Sequence, residues 1–217
     1  MLFFKTAIFD LDGTLLNTLS DLTDAVNHTL QDFGYPPRTE GEIRRFLGNG
    51  SKHLLTKSLP EGTPPEQIET VHAQYLIWYD AHAAIKTAPY EGIPELLDAL
   101  REQGVSLAVI SNKGDAQVKA LAKKHFPQIS LAVGERPGIR RKPHPDSVFE
   151  IMKELNADPD TTLFVGDSEV DLQTAKNAGV IPVAVGWGFR EKEELTPYSP
   201  KLFLEHPLDL LRVKSGD

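Results

Sequence analysis

Cysteine is absent from this 217-residue chain, and methionine and tryptophan occur only twice each. Without cysteine, disulfide support and thiolate chemistry are both excluded, and a cytoplasmic location is the expectation. Long apolar runs are also missing. No stretch reaches the roughly 20 apolar residues that a membrane helix needs. The run from Met1 to Asp10 is too short for a signal peptide and has no small-residue cleavage site. Positive charge is in deficit: 23 Lys and Arg stand against 31 Asp and Glu, a formal net charge of −8. That balance argues against a nucleic-acid partner and against an anionic membrane surface, both of which require clustered cations. It leaves a small anionic substrate open, because such a site needs only a few local cations and a metal.

What is present is the composition of a soluble globular protein, 40% hydrophobic and 25% charged. At roughly 100–200 residues per domain, the length suits one domain with an insertion. Five short apolar runs read as buried strands: Phe3–Phe9, Ser106–Ile110, Leu131–Val133, Leu163–Val165 and Ile181–Val185. Helical patterns at Pro94–Gln103, Gln117–His125, Asp146–Asn156 and Leu172–Ala178 lie between or beside them, two of them closed by Gly104 and Gly179. Alternating strands and helices predict an α/β fold with a largely parallel, Rossmann-like sheet. The segment 16–87 breaks the alternation and reads as helix throughout. Leu19, Leu22, Val26, Leu30 and Phe33 recur at helical spacing, Glu40–Phe46 and Ser51–Leu59 follow, and Thr63-Pro64-Pro65-Glu66 predicts a capping box that opens a helix to about His82. The expected organisation is therefore a core of residues 1–15 and 88–217 with an inserted helical domain of residues 16–87. Neither an internal repeat nor a low-complexity tract interrupts it.

Four places carry chemistry. Asp10-Leu11-Asp12-Gly13-Thr14 follows the first apolar run. Two carboxylates two residues apart, leaving a strand through a glycine turn, can supply a nucleophile and a proton donor. An Asx-rich turn is the plainer reading of such a pair alone. Ser111-Asn112-Lys113 follows the second strand, where a hydroxyl and backbone N–H groups can hold phosphoryl oxygens. Arg141-Lys142-Pro143-His144-Pro145 places an ammonium in a stiffened loop, and Gly166-Asp167-Ser168-Glu169-Val170-Asp171 offers two carboxylates on one helical face. Magnesium takes oxygen ligands and keeps several waters, so one or two carboxylates with a substrate phosphate suffice. Each place alone suits an ordinary loop or helix start. Three of them fall at the carboxyl end of a predicted strand and the other opens the helix after one, and this coincidence is the informative feature, because open α/β sheets bind ligands along that edge.

The order D-x-D-G-T, S-N, K-P, G-D-S-x-x-D resembles the haloacid dehalogenase superfamily of phosphohydrolases, and the helical insertion resembles that family's cap of the first type. Asp21–His28, the Gly48-Asn49-Gly50 loop and Arg141–Asp146 further resemble bacterial phosphoglycolate phosphatases. The resemblance implies that the fourth motif's strand lies beside the first strand, with the second and third strands on the other side. It implies Asp10 as nucleophile and metal ligand. Asp12 would be acid then base, with its carbonyl on the metal. Thr14, Ser111 and Asn112 would lie at the phosphate, Lys142 would balance charge on Asp10, and Asp167 and Asp171 would form the Mg2+ site. The family usually carries an acidic or Asp-Ser pair where this chain has Asn17-Thr18. A carboxylate-bearing ester such as 2-phosphoglycolate needs cap donors, for which Arg45, Gly48, Asn49, Gly50 and Lys52 are the candidates. Solvated helix faces are the plainer reading for Arg45 and Lys52. The expected partner is a small phosphorylated metabolite, and the expected state a monomer or homodimer. Alternatives are a phosphatase for another ester, a nucleotide or pyrophosphate, a sugar phosphomutase, and, least favoured, a non-catalytic binding module. Asp12 favours transfer to water, and Gly166-Asp167 replaces the Glu-Asp pair usual in such mutases.

Overall fold

Thr6-Ala7-Ile8-Phe9 is buried at every residue and forms strand β1 (Thr6–Phe9). A strand covered on both faces belongs inside a parallel sheet, since its side chains alternate between two packed surfaces. The computed structural model describes residues 3–215. Residues 1–2 and 216–217, which the expected core segments include, lie outside the described residues.

After β1 come β2 (Leu16–Asn17), α1 (Leu19–Asp32), α2 (Glu40–Phe46), α3 (Ser51–Ser58), α4 (Pro65–His82) and β3 (Ala88–Pro89). The chain then alternates through α5 (Ile93–Glu102), β4 (Ser106–Gly114), α6 (Asp115–His125), β5 (Leu131–Glu135) and α7 (Asp146–Leu155). It closes with β6 (Thr162–Gly166), α8 (Glu169–Ala178), β7 (Ile181–Val185), α9 (Lys192–Leu195), β8 (Leu202–Leu204) and α10 (Asp209–Ser215). The main sheet has six strands in the order β5-β4-β1-β6-β7-β8, and its pairings are parallel. Strand β6 lies beside β1, with β4 and β5 on the other side, the order that the family resemblance implies. Among the described residues no helix is long and apolar enough to cross a membrane.

The fold adds short elements to the expected ones, among them β2, β3, α9 and α10. Strand β8 was not among the expected strands. Its three residues pair with Val183–Val185 of β7 at the edge of the sheet. Strand β4 also runs past Ile110 to Gly114, with a register shift in the extension, so Ser111, Asn112 and Lys113 are part of the strand.

The chain divides into two compact units, Asn17–Ala88 and the remainder. In the sheet unit, Ile8, Ala108, Ile110 and Phe164 of three neighbouring strands pack with Val148 and Ile151 of α7 and with Ala175 and Ala178 of α8. Burying a side chain such as Phe164 stabilises the fold by about 1.5–3 kcal/mol. Gly179 ends α8 in the left-handed conformation, and Val180 N–H donates back to the Ala175 carbonyl, which terminates the helix and starts β7.

In the helical unit, α1 buries Leu22, Ala25, Val26 and Leu30, and it packs on α4, which buries Val71, Tyr75 and Tyr79. The expected capping box at Thr63 does not form. Helix α4 begins at Pro65 after Pro64, so Thr63 sits one residue too early to reach the first-turn N–H groups. Its hydroxyl instead donates to the Pro60 carbonyl at 2.7 Å. Pro65 does occupy the first turn as expected.

The same unit is tied just before β3 by one buried carboxylate. Asp21, on the first turn of α1, accepts from Lys86 N–H, Thr87 N–H and the Thr87 hydroxyl at 2.7–3.0 Å. Removing the acceptor leaves the two buried Thr87 donors unsatisfied, and each such group costs about 1–3 kcal/mol. Asp21→Ala is expected to lower stability in urea denaturation by about 3 kcal/mol. A loss under 1 kcal/mol would show that water replaces the carboxylate freely.

Candidate active site at the carboxyl edge of the sheet

The register of the three central strands builds the site. Phe9 is aligned with Val109 of β4 and with Val165 of β6, so the residues that follow each strand emerge on one edge. Strand order reverses around β1, which makes this edge a topological switch point. Asp10 N–H donates to the Val165 carbonyl at 2.9 Å, fixing the first residue beyond β1 against β6. The chain then folds back: Leu15 and Leu16 N–H groups donate to the Leu11 carbonyl, and Gly13, with φ of 90°, turns the corner. A Cβ at Gly13 would lie 2.3 Å from Asp167 Oδ2, so this turn can approach Asp167 only as glycine.

Asp10, Asp167 and Asp171 are buried, and each offers an oxygen within 4.8 Å of the others. Lys142 Nζ stands between two of them, 2.8 Å from Asp10 Oδ1 and 2.6 Å from Asp171 Oδ1. The contact with Asp171 is a hydrogen bond. The contact with Asp10 is an ion pair without good hydrogen-bond alignment, so Asp10 Oδ1 is buried with no donor directed at it. Burial pushes the Asp10 carboxyl well above the carboxylate range, helped by Asp171 and Asp167 and opposed by Lys142. Burial and Asp171 likewise raise Asp167 to about 7, against the Phe189 N–H, the Thr14 hydroxyl and Arg190. Burial would lower Lys142, but Asp10 and Asp171 outweigh it and hold the ammonium firmly protonated.

Asp167 and Asp171 differ in what surrounds them. Both oxygens of Asp171 are engaged: Oδ1 by Lys142, and Oδ2 by the N–H and hydroxyl of Ser168, at 3.0 and 2.6 Å, in the capping box of α8. Asp167 accepts from the Thr14 hydroxyl at 3.0 Å and from Phe189 N–H at 2.8 Å. The Phe189 contact belongs to a loop that sequence reasoning left out of the site. Gly186-Trp187-Gly188-Phe189-Arg190 follows β7 at the same edge, which was the available signal. The Trp187 indole N–H donates to the Thr14 carbonyl at 2.9 Å. A Cβ at Gly188 would come within 2.2 Å of Asp167 Cβ and 2.5 Å of the Gly13 carbonyl, so glycine here lets the loop close on Asp167. Arg190 Nε pairs with Glu169 at 3.0 Å.

The second motif faces the same edge. Ser111 Oγ accepts from Lys113 N–H at 3.3 Å and retains its own proton to donate. Asn112 Nδ2 donates to the Lys142 carbonyl at 3.0 Å, so Asn112 braces the lysine loop. Lys113 Nζ reaches both oxygens of Asp12, a partnership that the local sequence did not reveal.

The remaining sequence candidates belong to the helical unit. Arg45 is exposed on the last turn of α2, Gly48 and Gly50 have φ of 108° and 80° in the connection to α3, and Asn49 between them is half-buried. Lys52 on α3 pairs with Glu69 on α4 across an exposed surface.

The donor set suits a hard divalent cation. Three buried carboxylates against one ammonium leave a net charge of −2, and the raised Asp10 and Asp167 carboxyls mark an enclosure that opposes that charge. All three side chains offer oxygen, and neither histidine nor sulfur belongs to the cluster. Oxygen donors of this kind hold Mg2+ and similar ions. Each of the three offers an oxygen to such an ion, and Asp171 in addition holds Lys142.

The chain resembles known proteins along most of its length. The model of the family described as haloacid dehalogenase-like hydrolase matches residues 7–185. Phosphoglycolate phosphatase 1 of Pseudomonas aeruginosa is 33% identical, over 95% of this chain and 78% of its own. N-acetylmuramic acid 6-phosphate phosphatase of the same organism is 27% identical, over 96% of this chain and 94% of its own. A crystal structure from Lactobacillus delbrueckii subsp. bulgaricus, 34% identical, superimposes with a TM-score of 0.92 and covers 99% of each chain.

Proposed function

We propose that this chain, which belongs to the haloacid dehalogenase-like hydrolase family, hydrolyses 2-phosphoglycolate to glycolate and phosphate through an aspartyl phosphate on Asp10, with Mg2+ as cofactor. One observation carries the chemistry: a buried carboxylate, Asp10, held by Lys142 beside Asp167, with a second carboxylate, Asp12, two residues on at the same edge. The similarity to phosphoglycolate phosphatase 1 along most of this chain supports the substrate.

In this reading Lys142 holds one oxygen of Asp10 and leaves the other for phosphorus. Asp10 attacks, the bond from phosphorus to the ester oxygen breaks, and Asp12 supplies the proton that the departing alkoxide takes. Asp12 then accepts a proton from the water that attacks phosphorus, the bond from phosphorus to Asp10 breaks, and phosphate leaves. Ser111 donates to a phosphoryl oxygen, Asn112 keeps Lys142 in place, and Thr14 orients Asp167. Asp10, Asp167 and the Asp12 carbonyl would hold a divalent cation, which would offset charge on the phosphoryl oxygens. Catalysis of this kind rests on positioning and charge compensation. Arg45, Gly48, Asn49, Gly50 and Lys52 are the proposed source of contacts to the substrate's carboxylate, with Lys52 the weakest because Glu69 already engages it.

Phosphate release from a panel containing 2-phosphoglycolate and N-acetylmuramic acid 6-phosphate, with Mg2+ and with a chelator, tests this. The expected result is Mg2+-dependent turnover with kcat/KM for 2-phosphoglycolate at least about tenfold higher, the effect of about 1.4 kcal/mol of selective binding. The likeness to the N-acetylmuramic acid 6-phosphate phosphatase favours a second reading, a sugar phosphate substrate. Preference for that ester would keep the chemistry and overturn the substrate. No release from any ester would overturn both.

A further inference from the structure

Two lysines serve the two aspartates of the first motif. Lys142 serves Asp10, as described. Lys113 Nζ lies 2.9 Å from Oδ2 and 3.2 Å from Oδ1 of Asp12. We propose that Lys113 is a positioning residue for Asp12, fixing the plane of the carboxylate that handles the leaving-group proton. The inference rests on the role proposed above for Asp12.

A single-point contact leaves a carboxylate free to rotate about its Cβ–Cγ bond. An ammonium placed near both oxygens removes that freedom. Burial differs across the pair: the Lys113 side chain is 5% exposed and that of Asp12 18%. The ammonium therefore lies beneath the carboxylate, and Asp12 is the partner nearer solvent. Lys113 is itself held by the sheet. Its backbone is part of β4, its N–H donates to Ser111 Oγ, and Gly134 of β5 packs so closely that a Cβ there would come within 2.5 Å of the Lys113 carbonyl. The chain of restraint runs from sheet register to Lys113, then to the plane of Asp12. Burying an ammonium is costly unless it is paired, and an apolar side chain of similar length would fill the same volume without that cost. Packing alone does not call for lysine here. Orientation of a reacting group does, because a misplacement of about 1 Å reduces a rate by roughly 100-fold.

The test compares leaving groups. An alkoxide needs a proton as it departs, whereas p-nitrophenolate leaves at neutral pH without one. The ratio of kcat/KM for the best alkyl ester of the panel to that for p-nitrophenyl phosphate therefore reports how well Asp12 is placed. Lys113→Met is expected to lower kcat/KM for the alkyl ester by about 30-fold and for p-nitrophenyl phosphate by less than about threefold, within the span of acid–base contributions. Lys113→Arg, which keeps a two-pronged cation, is expected to restore most of the alkyl-ester activity. Asp12→Asn should show the same leaving-group signature, and Lys113→Met added to it should cause no further loss, because the lysine acts through the carboxylate. Equal losses on both esters, or a further loss in the double variant, would overturn the proposal while leaving the phosphatase reading intact. If Lys113→Met does not fold, Lys113→Gln gives the same ratio and discriminates in the same way. Wild-type protein inactive on both esters would overturn the phosphatase reading and this inference with it.

Discussion

Asp10→Asn lowers kcat by roughly 10⁴-fold or more, the scale on which enzymes lose turnover with their nucleophile, and at the same time it raises the melting temperature of the metal-free protein. The two effects share one cause. The fold raises the Asp10 carboxyl well above its ordinary range, through burial first and then through Asp171 and Asp167, against the pull of Lys142. A carboxyl shifted upward is one whose charge the folded state opposes. Whether Asp10 stays charged or takes up a proton on folding, the wild-type chain bears a cost that a neutral amide of the same shape avoids. Lys142 keeps a partner in the variant, since Asp171 remains 2.6 Å away. Thermal unfolding in chelator is expected to show a rise of about 2–4 °C, the shift produced by about 1 kcal/mol in a chain of this size. A fall in melting temperature would mean that the ion pair with Lys142 outweighs burial. Activity within tenfold of wild type would remove Asp10 from the mechanism.

Magnesium raises the melting temperature by about 5–10 °C at a hundredfold excess over its Kd, since saturation to that degree adds about 2.7 kcal/mol, and the gain is larger at pH 8 than at pH 5.5. The direction follows from Asp167. Its carboxyl is raised in the fold to about 7, chiefly by burial and then by Asp171. In metal-free protein its contribution to stability is therefore complete below the unfolded carboxyl value near 4, and it is lost as the pH rises to 7. Above 7 the carboxylate is charged and a bound cation relieves it. Below 7 proton and cation compete for the same oxygens, so the gain from Mg2+ shrinks. Asp167→Asn is expected to abolish the gain at both pH values. An equal gain at pH 5.5 and pH 8, or one that survives this substitution, would place the cation elsewhere. Chelation is expected to remove turnover together with the stabilisation.

The two halves of the candidate site differ in how far the sequence discloses them. Asp10 and Asp12 are conspicuous because a largely apolar run stops at a pair of carboxylates, and the alternation of runs gives the parallel sheet. The edge on which motif residues gather follows from strand direction alone. Which of them touch does not. Lys113 meets Asp12 and Asn112 meets the Lys142 carbonyl because β4 extends beyond the last residue it pairs with β1, with a register shift against β5, a property of the assembled sheet. The Gly186–Arg190 loop is disguised for a related reason. Gly188 matters for the side chain it lacks, and no local pattern reports that Asp167 stands where its Cβ would be. Thr63 matches the sequence signature of a helix cap, yet the two prolines after it set the start of α4 one residue later than the signature assumes.

A covalent phosphoryl group on Asp10 is the centre of the proposed chemistry, and rapid chemical quench during turnover, followed by peptide mapping by mass spectrometry, tests it most directly. One phosphoryl increment is expected on the peptide that contains Asp10. It should appear within the first turnover, decay as substrate is exhausted, and be absent in Asp10→Asn. Turnover at full rate with no phosphorylated peptide at any time, or with the increment on a different residue, would contradict it.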